Sequence, residues 1–307
     1  MIVAAGAVEF AEEIARQADI PIPLKCCTSV EAARREYTAE TIIFGNPDMI
    51  AEVLPNMPAV DWVQSTWAGI TPLLAIERRD YVLTGIKDVF GPQISEYVIG
   101  YLLAHELRVL QRMEEQRARR WIETCSGTLE GKRLSIMGTG SIGRHIAKSA
   151  ASFGMTVAGL SRSGAPTPDF ETVMPVDRLH DFLERADYLV SILPRTAATG
   201  HLLDAAALAK LPTHAYFINV GRSNVVDDAA LLDALRNGRM AGATLDVFDV
   251  EPVPQNSELW DTPNLTITAH ISAISHPHLI VPIFVENYRR YTNEEPLRYV
   301  IDIDAGY

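Results

Sequence analysis

The stretch RLSIMGTGSIGRHIAKSAASFGMTVAGLSRSG, Arg133 to Gly164, decides the fold. Leu134 to Met137 is a short apolar run of strand type. Gly138, Gly140 and Gly143 follow in G-x-G-x-x-G spacing. Ile142 to Phe153 has helical spacing, and Met155 to Leu160 forms a second strand candidate. A glycine triplet between a strand and a helix, with another strand behind it, is the fingerprint of a dinucleotide site. Gly138 permits the tight turn, Gly140 lets backbone approach a pyrophosphate, and Gly143 lets the helix pack close to the sheet. Thr139, Ser141 and Ile142 complete the turn. The helix start offers free N–H groups and a partial positive charge to phosphates. The bland alternative is an ordinary βαβ unit with a glycine-rich turn.

Outward from that stretch, the chain has 307 residues, enough for two domains of ordinary size. Hydrophobic content of 48% with 21% charged residues fits a globular protein with a sizeable core. The formal net charge of −12 argues against a nucleic-acid binder, whose affinity rests on basic patches. No run approaches membrane-spanning length, and the N-terminus has no basic leader, so neither a membrane span nor a signal peptide is expected. Cys26, Cys27 and Cys125 lack metal-ligand spacing and are expected as reduced thiols in a cytoplasmic protein.

The first ninety residues alternate strand and helix signals. Ile2 to Ala5, Ile42 to Phe44 and Trp62 to Ser65 are of strand type; Glu9 to Gln17, Val30 to Tyr37 and Pro47 to Leu54 carry helical spacing. This alternation implies a parallel sheet with helices on both faces. Gly91-Pro92 breaks the pattern, and Ile94 to Arg120 reads as one long linking helix. Beyond the glycine stretch, Asp187 to Leu193, Ala215 to Val220, Ala243 to Phe248 and Leu265 to Ala269 are strand candidates, making six strands in a doubly wound sheet. Helices fall at Arg178 to Arg185, Ala205 to Lys210 and Asp227 to Asn237, the last with Asp227 as N-cap and Gly238 as its stop. A final helix is expected at Leu279 to Tyr291.

At the end of the second strand stand Ser161-Arg162-Ser163, where an NAD site usually presents an acid to the ribose 2′-hydroxyl. An acid there would repel a 2′-phosphate, whereas an arginine and two hydroxyls would bind it. NADP(H) is therefore the expected cofactor. The alternative is a solvated Arg162 and a site open to NAD(H) as well.

Three residues fall near strand ends, where open α/β sheets place ligands: Arg222 in INVGRSNVVDDAAL, Glu251 in LDVFDVEP and His270 closing LTITAH. Carbonyl reduction needs a cation to hold and polarise the substrate, an acid to protonate the new alkoxide, and a carboxylate to orient that acid. Arginine, histidine and glutamate suit these tasks in turn.

These segments, following LEGKRLSIMGTGSIG, resemble the D-isomer-specific 2-hydroxyacid dehydrogenases along nearly the whole chain. SRS and STWAG are most similar to the glyoxylate/hydroxypyruvate reductase branch. The resemblance implies a fold of two doubly wound α/β domains, a Rossmann cofactor domain (98–274) and a discontinuous flavodoxin-like substrate domain (1–97 with 275–307). It implies an active site in the cleft between them and a homodimer through the cofactor domains. Arg222 would bind the substrate carboxylate and carbonyl oxygen. His270 would donate the proton, with Glu251 as partner. Asp246 would lie near the nicotinamide carboxamide, and Leu193, Pro194, Val220 and Gly221 join the cofactor set. Trp67, Ala68 and Gly69 would hold the substrate carboxylate through backbone N–H groups. The substrate would be a small 2-oxo acid, reduced to its D-2-hydroxy acid.

The family often has Pro-His-x-Gly around the histidine; here Ala269-His270-Ile271-Ser272 stands in its place, and Gly221 replaces a common alanine. His276 and His278 lie close in sequence to His270, whose place at a strand end favours it. Glu251, His270, His276 and His278 suit no common metal site. Trp67 as plain packing is the bland reading, and Tyr101, His105 and His145 read as helix residues without chemistry. Glu251 argues against the formate dehydrogenase branch, which has glutamine there. A dinucleotide-sensing partner protein without turnover and a reductase for a bulkier 2-ketoacid stay open as alternatives.

Overall fold

The structure, a computed structural model, describes residues 2–4 and 7–303. It divides into two compact units, residues 1–89 with 275–307 and residues 90–274. In the first unit the chain runs β1 (Ile2–Ala4), α1 (Ala7–Gln17), β2 (Lys25–Cys27), α2 (Val30–Glu36), β3 (Ile42–Gly45), α3 (Pro47–Val53), β4 (Trp62–Ser65), α4 (Thr71–Leu74) and β5 (Val82–Thr84). Ala5, placed in the first strand from sequence, lies outside the described residues. The strands pair in parallel in the order β2-β1-β3-β4-β5, the flavodoxin-type order. The short strands β2 and β5 have no apolar alternation that sequence reading picks up; they sit at the two edges of the sheet. Local chemistry fixes the helix starts: Ser29 caps α2 by accepting from Ala32 N–H, and Asn46 caps α3 by accepting from Met49 N–H ahead of Pro47.

The second unit opens on α5 (Gly91–Glu106), with Pro92 in its first turn, where a missing N–H costs nothing. The single helix expected over Ile94 to Arg120 is in fact two, α5 and α6 (Val109–Arg117), separated at Arg108, whose φ of 52° is left-handed. The whole of α5 belongs to this unit, so the change of unit falls after Val89 instead of after residue 97. There follow β6 (Arg133–Met137), α7 (Ser141–Ala151), β7 (Thr156–Ser161), β8 (Thr172–Pro175), α8 (Leu179–Leu183), β9 (Tyr188–Ser191), α9 (Ala205–Leu208), β10 (Tyr216–Asn219), α10 (Asp228–Arg236), β11 (Gly242–Leu245) and β12 (Leu265–Ile267). The sheet has seven parallel strands, not six, ordered β12-β11-β10-β9-β6-β7-β8. The additional strand is β8, an edge strand that ends in proline. Chain order reverses between β6 and β9, which makes their carboxyl ends the switch point where such sheets bind ligands.

Two apolar layers hold this sheet. One gathers Leu183, Leu189, Phe217, Leu231 and Leu245 with α8, α9 and α10. The other gathers Leu134, Ile136, Ile146, Val190 and Ile218 with α5 and α7. Asp227 caps α10 by accepting from Ala230 N–H, and Gly238 closes its end at a φ of 63°. The chain then returns as α11 (Pro277–Thr292) to the first unit, where Phe284 lies between Phe44 and Trp62.

Candidate active site

In the second unit, Arg222, Glu251 and His270 follow the carboxyl ends of three adjacent strands, β10, β11 and β12. The register is parallel throughout, so all three emerge from one edge of the sheet. His270 does not end a strand as the sequence suggested. β12 stops at Ile267, and His270 sits three residues on in a loop, at a left-handed φ of 54°. Its Nδ1 lies 2.9 Å from Glu251 Oε2. The other oxygen of Glu251 accepts from Phe248 N–H at 2.9 Å. A carboxylate so held keeps the Nδ1 proton on the ring and leaves Nε2 to exchange a proton with another molecule.

Arg222 is half-buried. Its Nη1 donates to the carbonyl of Gly221 at 2.8 Å, and among the described residues it forms no ion pair. Burial pulls its pKa below the ordinary guanidinium value, the charge of Glu251 pushes it back up, and Arg195 lowers it further. A guanidinium carries its charge regardless, so this is a cation turned partly inward without a counter-ion. The turn that aims it is fixed by the buried Asn219, which accepts from Gly221 N–H at 3.2 Å and donates to the Arg222 carbonyl at 3.0 Å. Sequence reading passed over Asn219, although an amide at a strand end two residues before a glycine is a recognisable turn-maker.

Asp246 is wholly buried, and its carboxylate faces inward. Oδ1 accepts from Thr268 Oγ1 at 2.5 Å and from Ile271 N–H at 2.9 Å; Oδ2 accepts from Ser272 N–H at 2.8 Å. Its side chain thus holds the loop that carries His270.

The glycine turn joins β6 to α7. A Cβ added to Gly143 would lie 2.2 Å from the Gly138 carbonyl oxygen, so only glycine lets the helix start this close to the strand. Gly138 itself has a φ of 113°. A Cβ added at Gly140 would meet nothing within 4 Å, and Gly140, the N-cap of α7, leaves the first-turn N–H groups of Ser141 and Ile142 without a side-chain cap. Closed below and open above, the turn has room for a phosphate against the helix start. The Thr139 methyl lies over Gly159 of β7. At the end of β7, Ser161 Oγ accepts from Gly164 N–H at 3.0 Å and Ser163 Oγ from Ala165 N–H at 3.3 Å, shaping a tight turn. Arg162 projects from that turn, exposed, with no hydrogen bond or ion pair among the described residues. The nearest downstream acid, Asp169, is occupied by Arg144 at 2.9 Å. Leu193 and Pro194 follow β9; Val220 and Gly221 follow β10, with Gly221 packed on the Leu193 backbone. These residues fit a dinucleotide.

Trp67, Ala68 and Gly69 belong to the first unit and follow β4. Trp67 is 41% exposed. Its N–H already donates to Ser65 Oγ at 3.1 Å, and Ser65 Oγ donates back to the Trp67 carbonyl at 2.8 Å. Of the three backbone N–H groups assigned to a substrate carboxylate, that of Trp67 is therefore spent within the loop. Among the described residues no cluster of three or more His, Cys, Asp or Glu side chains is placed to hold a metal ion, and no helix is long and apolar enough to cross a membrane. His276 and His278 stack on each other at the start of α11, in the first unit.

The model of the D-isomer specific 2-hydroxyacid dehydrogenase NAD binding domain matches residues 99–272. The chain belongs to the D-isomer specific 2-hydroxyacid dehydrogenase family. It is 33% identical over 221 residues to a glyoxylate/hydroxypyruvate reductase A of Salmonella newport, covering 71% of this chain and 70% of that one. It is similar to the crystal structure of a D-isomer specific 2-hydroxyacid dehydrogenase family protein from Aeromonas salmonicida, with a TM-score of 0.94, 38% identity and 99% of both chains covered. It is also similar to an NADPH-dependent glyoxylate/hydroxypyruvate reductase from Sinorhizobium meliloti, solved in complex with NADP and sulfate, with a TM-score of 0.87, 26% identity, and 100% of this chain and 99% of that one covered. As a member of this dehydrogenase family the protein is an oxidoreductase of 2-hydroxy and 2-oxo acids, in agreement with its motifs.

Proposed function

We propose that this enzyme reduces a small 2-oxo acid of the glyoxylate or hydroxypyruvate kind to the D-2-hydroxy acid, with NADP(H) preferred and NAD(H) accepted. The observation that carries the reading is the His270–Glu251 pair at 2.9 Å on the same sheet edge as Arg222, a cation without a counter-ion. When bound, NADPH supplies a hydride. Arg222 binds the substrate carboxylate through its fork and polarises the carbonyl oxygen. His270 Nε2 delivers a proton to that oxygen and takes it back in the reverse direction. Glu251 accepts from Nδ1 and fixes the ring's orientation. In the first unit, the N–H groups of Ala68 and Gly69 are proposed to bind substrate carboxylate. Arg162, Ser161 and Ser163 are proposed to bind a 2′-phosphate. The relatives' names support the substrate class and the cofactor.

The test is NADPH oxidation across a panel of 2-oxo acids of increasing size, with His270→Ala alongside. Turnover of the smallest acids and a loss of kcat of at least about a hundredfold in the variant, with NADPH affinity kept, are expected. Cofactor binding without turnover of any acid would sink the enzyme reading in favour of a sensor. The resemblance also supports a homodimer, and the cysteine pattern a cytoplasmic setting; light scattering of the purified protein checks the first.

A further inference from the structure

The loop that bears His270 is gripped from two sides. On one side is Asp246, already described. On the other is α5, a helix that contributes nothing to the strand-end set. Tyr97 Oη lies 2.6 Å from Thr268 Oγ1, and Thr268 Oγ1 donates to Asp246 Oδ1 at 2.5 Å. A hydroxyl has one proton, and the carboxylate takes it from Thr268, so Tyr97 donates to Thr268. Burial, first of all, raises the Tyr97 pKa, which keeps that donor proton in place. One turn earlier, Gln93 Nε2 donates to the Ile274 carbonyl at 3.0 Å while Gln93 Oε1 accepts from Ile274 N–H at 3.0 Å. The amide thus closes both backbone groups of the residue that ends the loop.

Gln93, Tyr97, Tyr101 and His105 stand at successive four-residue intervals and share one face of α5. The Tyr97 and Tyr101 rings lie 4.6 Å apart, and the His105 ring lies 4.4 Å from that of Tyr216 in β10. The stripe is anchored to the sheet at its far end and to the histidine loop at its near end. Within the loop, His270 has a left-handed backbone, uncommon for any residue but glycine although histidine tolerates it better than most, at a cost of order 1 kcal/mol. Such a conformation persists where the surroundings over-determine it. Asp246, Thr268, Tyr97 and Gln93 are those surroundings.

We propose that Tyr97 and Gln93 are positioning residues that hold the 268–274 loop so that His270 stays seated on Glu251. The inference rests on His270 as proton donor for its kinetic consequence, but not for its geometric one. The experiment compares the double variant Tyr97→Phe/Gln93→Ala with Thr268→Val and Thr268→Ser. Three quantities are read: kcat, NADPH affinity by fluorescence titration, and the His270 Nδ1 resonance of 15N-histidine-labelled protein, assigned by its absence in His270→Ala. In the double variant and in Thr268→Val, kcat falls about tenfold. NADPH affinity stays, and the resonance moves toward that of a free imidazole. Thr268→Ser, which keeps the hydroxyl, leaves all three as in the unsubstituted protein. An unmoved resonance, or NADPH affinity lost in step with kcat, overturns the proposal. If His270→Ala keeps full activity, the proton-donor reading fails instead, and the resonance still decides whether the clamp exists.

Discussion

Arg195 Nη2 lies 2.7 Å from Asp249 Oδ1, and Ser223 Oγ donates to the same oxygen at 2.6 Å. Arg195 also reaches Ser223 Oγ at 2.7 Å. The three residues come from the loops after β9, β10 and β11, and they flank Pro194, Arg222 and Glu251. The Ser223 hydroxyl and then Arg195 hold the Asp249 carboxyl below its ordinary pKa. The ion pair is about half exposed, so it adds at most about 1 kcal/mol to stability. Its value lies in tying the loop that leads to Glu251 to the arginine turn. Asp249→Ala should shift the melting temperature by no more than a few degrees and lower kcat about five- to tenfold. Calorimetry and steady-state kinetics on one preparation check both; a large melting shift with kcat intact contradicts the assignment.

Arg162 has no partner within the described chain, and the acid nearest to it downstream is held by Arg144. A lost charge-assisted bond to a phosphate costs about 1.5–3 kcal/mol. Arg162→Ala should therefore lower kcat/KM with NADPH by about ten- to a hundredfold and leave kcat/KM with NADH nearly unchanged. The unsubstituted enzyme favouring NADH would remove the basis of the cofactor assignment.

Asp228, in the first turn of α10, has a pKa pushed up to about 6 by burial, then by the charges of Asp249 and Asp227, with His201 acting in the opposite sense. The folded protein holds this proton more tightly than the unfolded chain, whose aspartate titrates near 3.9. Between those two values the native state binds more protons, so stability falls as pH rises through the window and the loss is complete above about pH 6. Asp228→Asn should be stabilising by about 1–2 kcal/mol at pH 8, once the shift is discounted for the residue's partial exposure and a few tenths are subtracted for a lost charge at the helix start, and near neutral at pH 4. Urea unfolding at the two pH values measures this; an equal effect at both would show that the carboxyl's ionisation is not what costs stability.

The glycine turn and its flanking elements were legible because each residue type had a local task. Gly143 has no room for a side chain, Asp227 caps its helix, and buried parallel strands such as the one through Ala215–Ile218 carry continuous apolar runs. Arg222 and Glu251 were legible as strand-end residues for the same reason. β8 was not, because it lies at an edge, is only partly buried and ends in Pro175. The division of the long helix was hidden because Arg108 adopts a left-handed backbone without being glycine or asparagine, while the charge pattern runs on past it. The grip of Asp246 on the histidine loop is a long-range arrangement, and no local periodicity encodes which side chain will meet the N–H groups of Ile271 and Ser272. The stripe from Gln93 to His105 was not legible, since its partners lie more than a hundred residues away.

The return of α11 to the first unit has a consequence for biosynthesis. Phe284, with ring centroids 4.7 Å from Phe44 and 5.5 Å from Trp62, completes that unit's apolar centre, and Asn287 closes it by bonding Gln64 and the Arg298 backbone. Losing a buried phenylalanine alone costs about 3–5 kcal/mol. The unit whose chain starts to leave the ribosome first is thus the unit that is finished last. Its exposed strands must wait, through translation of the entire cofactor-binding unit, for the helix that covers them. That interval is when a chaperone would matter most to this chain.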